Sequence, residues 1–319
     1  MKTSKLTKSI LAMIAIAALA FTGTADTARA EEAAEMDEIG EAMANPLSYL
    51  WLMFMQNDTK WYGGDLLDDL GEDTKVQNTF LIQPVLSLQL TEEWKTIIRP
   101  VIPIHSFETV DNVDVSSGTV PKVTGVDFNR ETGLGDVVLW TAFSKQYEPP
   151  VVFGFGSTAM LPTATEDQLG TGKWSAGPML LGMSITDKWI VGGVFQHWWS
   201  FAGDDEIDVD TSLGSVRVDR PDVNLTDFQP ILRYRFSPAT NIGLAPNWQY
   251  NWETDQLTLP VGLGGDTLVK IGKLPVKIGF EGYYNVVQDD DFGPEWHARI
   301  LFVPVLPAPK WSRVPLFGR

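Results

Sequence analysis

The sequence predicts an all-β chain, a transmembrane antiparallel β-barrel of about 12 strands. Three observations point there. The chain opens on an export signal. From Thr79 onward it runs in segments of about ten residues with alternating polarity, the period-two pattern of a strand with one apolar and one polar face. Its connections alternate between short and long, as when strands cross a membrane with small turns on one side and large loops on the other.

The signal comes first in the chain. Lys2, Lys5 and Lys8 precede an apolar run from Ile10 to Phe21, and Ala28-Arg29-Ala30 supplies a small-x-small cleavage site before Glu31. Residues 1–30 therefore read as a signal peptide, with an apolar run too short to span a bilayer. An uncleaved anchor is the alternative. Cleavage removes four of 24 Lys+Arg and one of 41 Asp+Glu, leaving 20 against 40 and a net charge of −20. So acidic a chain repels nucleic acid, and no basic stripe offsets this. Cysteine is absent, which excludes disulfides and thiolate chemistry. No Pro/Ser or Gly/Ser linker divides the rest. It is read as a periplasmic N-terminal segment (31–45), the barrel (46–305) and a C-terminal tail (306–319).

The first strand is expected near 47–57, although Leu47–Met55 is apolar on both faces and also suits a helix or plug; the strand count would then be odd. Next come 78–90, 94–105, 133–145 and 150–161. In the first of these, Phe80, Ile82, Pro84, Leu86 and Leu88 oppose Gln83, Ser87 and Gln89. The seventh and eighth strands are expected at 188–200 and 224–236, followed by 241–252, 257–268, 274–287 and 295–304. An even count leaves both termini on the short-turn, periplasmic side.

The sixth strand, 173–186, begins within LGTGKWSAGP, Leu169 to Pro178. This stretch resembles a phosphate loop but lacks its essentials: Asp167 stands at the first glycine position and Trp174 at the hydroxyl position. It is read instead as the descent from a long loop into a strand. Lys173 is placed at the rim and Trp174 at the interface, with Met179, Leu181, Met183 and Ile185 facing lipid.

The short connections are Thr91–Trp94, Lys145–Pro150, Thr186–Trp189, Ser237–Asn241 and Gly272–Leu274. The long, mostly acidic ones are Asp58–Gln77, Ser106–Thr132, Pro162–Gly172, Phe201–Val223 and Gln288–Pro294, with Glu253–Gln256 brief among them. Trp94 and Trp189 follow short turns. Trp61, Trp174, Trp199, Trp252 and Trp296 lie near long-loop ends. An aromatic ring with a polar N–H suits the headgroup level at both rims; filling of a β core is the alternative. Pro84, Pro100, Pro103, Pro178, Pro230 and Pro260 fall inside expected strands, where each forfeits a ladder donor.

Several local motifs carry a family resemblance. They are Asn45-Pro46 with Gln56-Asn57, Gln83-Pro84-Val85, Gly133-Leu-Gly-Asp136, Leu161-Pro-Thr-Ala-Thr165 and the Leu169–Pro178 stretch. Trp199-Ser-Phe-Ala-Gly203, Gln229-Pro230, Asn251-Trp-Glu253, Leu259-Pro-Val-Gly262 and Tyr284-Asn-Val-Val287 complete the set. With these motifs the chain resembles the bacterial outer-membrane proteins grouped as the MetA-pathway of phenol degradation family, also labelled neuromedin-U-like. The resemblance implies a Gram-negative outer-membrane barrel that passes small organic compounds, with aromatic ones as candidates. It implies no catalytic residues and no cofactor. The chain departs from the usual barrel ending by closing on Arg319 rather than a terminal Phe, so the signal for the barrel-assembly machinery is expected in Trp296–Val305.

If apolar faces meet lipid, the polar faces converge on a lumen. Early candidates are Gln83, Gln89, Lys95, Arg99 and His105. Strand eight adds Asp227, Gln229, Arg233 and Arg235, and strand nine Asn247 and Gln249. Lys277, Glu281, Asn285, His297 and Arg299 come from the last two strands. Mixed cations and carboxylates make a transverse field that orients polar solutes and favours anions where Arg gathers. A lumen filled by paired side chains is the alternative. The acidic runs Asp204–Asp210 and Asp289–Asp291 match no calcium loop, so no metal site is assigned. A lipid hydrolase would need a Ser–His pair near the membrane surface, for which His197 and Ser200 are the only neighbours of note, without a nucleophile motif. A structural or adhesive barrel would use the acidic loops as its working surface. The expected partners are outer-membrane lipid and lipopolysaccharide, small organic solutes and the assembly machinery.

Overall fold

The computed structural model describes residues 27–116, 123–145 and 150–317. The expected signal peptide lies outside the described residues up to position 26. So do positions 117–122, 146–149 and 318–319, within a long connection, a short turn and the tail.

A helix, α1 (Thr27–Ala44), precedes the wall. The strands follow as β1 (Trp51–Gly63), β2 (Lys75–Gln89), β3 (Trp94–Val115), β4 (Val123–Leu134), β5 (Val137–Lys145), β6 (Val151–Leu161), β7 (Lys173–Ile185) and β8 (Trp189–Gly203). A small separate hairpin, β9 (Glu206–Val209) and β10 (Val216–Asp219), interrupts the series. The wall resumes with β11 (Asn224–Ser237), β12 (Thr240–Leu244), β13 (Trp248–Asn251), β14 (Gln256–Ile271), β15 (Leu274–Val287) and β16 (Gly293–Leu306). A short helix, α2 (Asp65–Leu70), follows β1. Successive strands β4 and β5 pair along β3, and β12 and β13 along β11, so the wall is a closed antiparallel barrel of 12 strands. Pairing of β1 with β16, from Trp51↔Leu306 to Gly63↔Gly293, closes it.

The alternation of polarity accounts for the two surfaces. Phe80, Phe153, Leu180, Leu263, Phe280 and Ile300 are exposed on the outside, where no second sheet among the described residues covers them. So continuous an apolar surface belongs in hydrocarbon rather than water. Trp174, Trp189, Trp199, Trp252 and Trp296 are exposed on the same surface. Trp61 and Trp94 are half-buried, Trp94 lying edge-on to Phe155 at 6.1 Å between ring centroids.

Pro84, Pro100 and Pro230 find a common solution. The β2–β3 register runs from Ile82↔Ile102 to Leu86↔Ile98, which sets Pro84 opposite Pro100. The β11 register passes from Leu232↔Leu244 to Phe228↔Trp248, which sets Pro230 opposite Pro246. Missing donors thus coincide on two seams, while the seams on the other side of Pro84 and Pro100 stay paired.

Four expectations need correction. Met179, Leu181, Met183 and Ile185, expected to face lipid, are buried on the inner side of β7, whereas Trp174 and Leu180 are exposed. Period two demands this: an outward residue 174 puts every odd position inside. Leu47–Leu50 is not strand; β1 starts at Trp51 and continues to Gly63, so Asp58 lies within a strand rather than opening a loop. Much of Ser106–Thr132 is an extended β3–β4 hairpin. The ninth strand is broken at 245–247, between β12 and β13.

One end of the barrel is filled from the N-terminal side. Met36, Met43 and Leu47 are buried in a cluster with Leu52, Val85, Leu181 and Val303. Leu47 reaches β6, where a Cβ on Gly154 would stand 3.4 Å from it. Glu41 pairs with Arg235, and the Ala239 N–H donates to Asp37 at 3.2 Å. Gly40 is required here, because a Cβ would collide with the Pro238 carbonyl and the Cα of Ala239. Beyond β16 the tail turns back, and Leu316 and Phe317 donate backbone N–H groups to the Gln89 and Leu90 carbonyls at 3.2 and 2.8 Å.

Candidate functional site

The interior divides into two adjoining chambers. One, of about 260 Å³, is lined by Met179, Leu181 and Met183 of β7, Ile190 and Val194 of β8, and Ile97 and Leu268. Met43, Ala44 and Leu47 close its short-turn end. The other, of about 290 Å³, is lined by polar groups including Gln83, Asp227, Asn247, Gln249, Asn285 and His297. Gln56, Arg99, Trp140, Gln229 and Arg299 border both.

A belt of ion pairs crosses the lumen where the chambers meet. Arg299 Nε lies 3.0 Å from Asp58 Oδ1, and its Nη1 3.4 Å from Glu281 Oε2. Arg233 reaches Asp266 Oδ2 at 2.6 Å and Glu281 Oε1 at 2.8 Å, and also bonds Asn241. Lys277 Nζ stands 3.4 Å from the second Asp266 oxygen. Tyr283 donates its hydroxyl to Glu281 at 2.7 Å. Charges removed from bulk water must be paired and hydrogen-bonded, and Glu281, only 1% exposed, is so held by two arginines and a phenol. Asp227 is satisfied differently, by amide donors: Asn247 at 3.1 Å, Gln249 at 3.2 Å and Gln196 at 3.4 Å.

Segment 245–247, between β12 and β13, contributes to this belt. The Ala245 carbonyl accepts from Gln229 at 3.1 Å and Arg299 at 3.4 Å, and its N–H donates to Tyr283 Oη at 3.3 Å. The break in the ninth strand therefore supplies backbone groups to the lumen.

Of the residues selected from sequence, Gln83, Arg99, Asp227, Gln229, Arg233, Asn247 and Gln249 border one or both chambers, as do Lys277, Glu281, Asn285, His297 and Arg299. Four are elsewhere. Gln89 accepts from the Tyr49 hydroxyl at 2.6 Å, Lys95 is buried over the Tyr49 ring at 4.6 Å, His105 bonds Thr79 Oγ1 at 2.9 Å, and Arg235 is held by Glu41 and the Thr186 carbonyl at 2.9 Å. Gln56, Asp58, Gln196 and Asp266 belong to the lumen but escaped selection. The signal for Asp58 was the even series Leu52, Phe54, Gln56, Asp58, which turns polar toward the long-loop end.

His197 and Ser200 are not brought together. His197 Nδ1 lies 2.8 Å from Thr226 Oγ1 and its ring packs 3.9 Å from Trp199, while Ser200 donates to Asp222 at 3.1 Å. The acidic loop is engaged by cations: Lys173 Nζ lies 2.7 Å from Asp205 and 3.3 Å from Asp222, and Arg217 takes Glu206 and Asp208. The Lys173 ammonium, with the Ser200 hydroxyl, holds the Asp222 carboxyl below the ordinary carboxylate range.

No family model matches the chain, and no curated protein sequence matches it. Among solved structures it is similar to an outer membrane channel from Pseudomonas putida F1, with a TM-score of 0.55 and 16% identity over 81% of this chain and 94% of that one. The fold is thereby that of an outer-membrane β-barrel. Two further similarities are weaker. The β domain of the Bordetella autotransporter BrkA gives 0.43 and 10% over 81% and 100% of the two chains. The monoaromatic hydrocarbon channel TodX, as a deletion mutant, gives 0.43 and 10% over 80% and 89%.

Proposed function

We propose that the protein is an outer-membrane channel for small organic solutes. The observation that carries this reading is the apolar chamber inside the barrel. A lumen built only for stability has no need to line a 260 Å³ space with Met179, Leu181, Met183, Ile190 and Val194 beside a polar one. Apolar walls favour an organic body, and the charged belt beside them orients its polar end. The Pseudomonas putida neighbour, itself an outer membrane channel, fits the same reading. So does the sequence resemblance to the phenol-degradation-associated barrels, and membership of that group is part of the proposal. The short turns then face the periplasm, and the long acidic loops face outward toward lipopolysaccharide and the solute. Separate engagement of Ser200 and His197 favours passage over lipid hydrolysis.

Reconstituted protein is expected to conduct in planar bilayers and to accelerate entry of small aromatic solutes into liposomes. Silent bilayers together with unchanged entry, from a barrel that keeps its compact, heat-modifiable form on gels, would leave a structural or adhesive role in place of transport.

A further inference from the structure

We infer that the lumen selects amphipathic organic carboxylates, and that Arg99 recognises their anionic head while the apolar chamber takes the body. This rests on the channel reading above and narrows its solute class.

Arg99 differs from the other two arginines at the chambers. Arg233 and Arg299 each hold two carboxylates. Arg99 makes no ion pair among the described residues. Its partner is the neutral Gln83, whose Oε1 accepts from Nε at 3.0 Å and from Nη2. Its guanidinium carbon lies 4.6 Å from the Trp140 ring centroid and 4.9 Å from that of Phe54. Aromatic faces hold a guanidinium in place without neutralising it. Two donor atoms are thus turned to one amide oxygen, and Nη1 has no acceptor among the described residues.

Position and charge point the same way. Arg99 borders both chambers, so an anion bound there can lay an apolar body against Ile97, Leu181 and Met183. The apolar chamber is lined by four cationic side chains, Arg99, Arg233, Lys277 and Arg299, against two acidic ones, Asp266 and Glu281. Asp58 pairs with Arg299 from the adjoining chamber, which leaves one positive charge in excess inside a chain of net charge −17. A planar, permanently charged fork matches a carboxylate, and a site part apolar and part cationic discriminates against a neutral hydrocarbon and a small inorganic anion alike.

The test compares 3-phenylpropionate with its neutral counterpart 3-phenyl-1-propanol, titrated calorimetrically into the full chain in detergent at pH 7. The unmodified protein is expected to prefer the acid by about tenfold or more, the scale of one charge-assisted contact. Two substitutions are expected to reduce the acid-to-alcohol ratio by about tenfold: R99Q, which removes the charge, and Q83E, which gives Arg99 a carboxylate of its own. R99K is expected to retain part of the preference. Equal binding of acid and alcohol by the unmodified protein overturns this inference and leaves the channel reading standing. Binding of neither, with no entry into liposomes, overturns both. An undiminished preference in folded R99Q or Q83E also overturns the inference, because another cation then reads the head.

Discussion

The charged belt and the apolar wall beside it line one interior yet are built on opposite terms. In the belt Asp58 is fixed by Arg299 and the Gln56 amide, Asp266 by Arg233 and Lys277, and Glu281 by two arginines and Tyr283. In the apolar chamber Met179, Leu181, Met183 and Val194 border open space and have no directional partners. The first region is costly to alter because each member leaves a stranded charge behind. The second is tolerant, because its side chains already adjoin a void and thioether side chains adapt their shape. A barrel of this kind gains rigidity from its belt and keeps its adaptable surface for a guest.

The largest expected effect tests the belt. Arg299→Met strands Asp58 and part of Glu281, and is expected to lower stability in detergent by about 3–5 kcal/mol, read from the urea midpoint of tryptophan emission. Leu181→Ala on the chamber side is expected to cost only about 1–2 kcal/mol, below the usual range for a packed core leucine. Comparable losses at the two positions would abolish the distinction between rigid belt and soft chamber.

A second contrast uses transport. Met183→Glu places a carboxylate among apolar walls and is expected to slow liposome entry of 3-phenyl-1-propanol by about tenfold, with a lowered urea midpoint from a barrel that still folds. Unaltered entry would show that solutes bypass the chamber.

The closed end of the chamber offers a third. Gly40→Leu cannot maintain the approach to Pro238 and Ala239, so the Met36–Ala44 stretch is expected to leave its seat. Larger single-channel conductance with an intact barrel is the expected readout. An unchanged conductance would mean that this stretch does not obstruct the path.

The smallest effect lies at the long-loop end. Asp222 is held below its ordinary range by Lys173, so its contribution is present above about pH 4, the unfolded carboxylate value, and is lost as pH falls through the depressed folded value. Limited proteolysis of the 204–223 loop is expected to accelerate only in acid below that range, and Lys173→Met is expected to remove the pH dependence. Neither change should touch the belt or the chamber.

Much of the wall was legible in the residues. Strands such as β11 and β15 have one apolar and one polar face, so their inward residues Asp227, Arg233, Glu281 and Asn285 could be picked by position alone. β7 could not be oriented this way. Its odd face over 179–185 is wholly apolar while the other carries Leu180, Gly182 and Ser184, so polarity points the odd face outward, and the exposed Trp174 settles the side the other way. Asp58 was missed because the polar stretch after Met55 reads as a loop when strand length is judged from hydrophobicity, although the ladder to β16 continues to Gly63. The prolines looked incompatible with regular strands because a single strand does not show what stands opposite; Pro84 and Pro100 meet only when β2 and β3 align.

The sequence by itself determined the strand series, the acidic composition and the alternation that divides inside from outside. These follow from local period and composition, which each segment carries without reference to any other. Only the tertiary structure decided how the interior is partitioned. Asp58 and Arg299 stand 241 residues apart in the chain and meet only because the last strand closes on the first. The apolar chamber likewise exists only where the inner faces of distant strands converge, since a cavity is a property of the closed wall and of none of its strands alone.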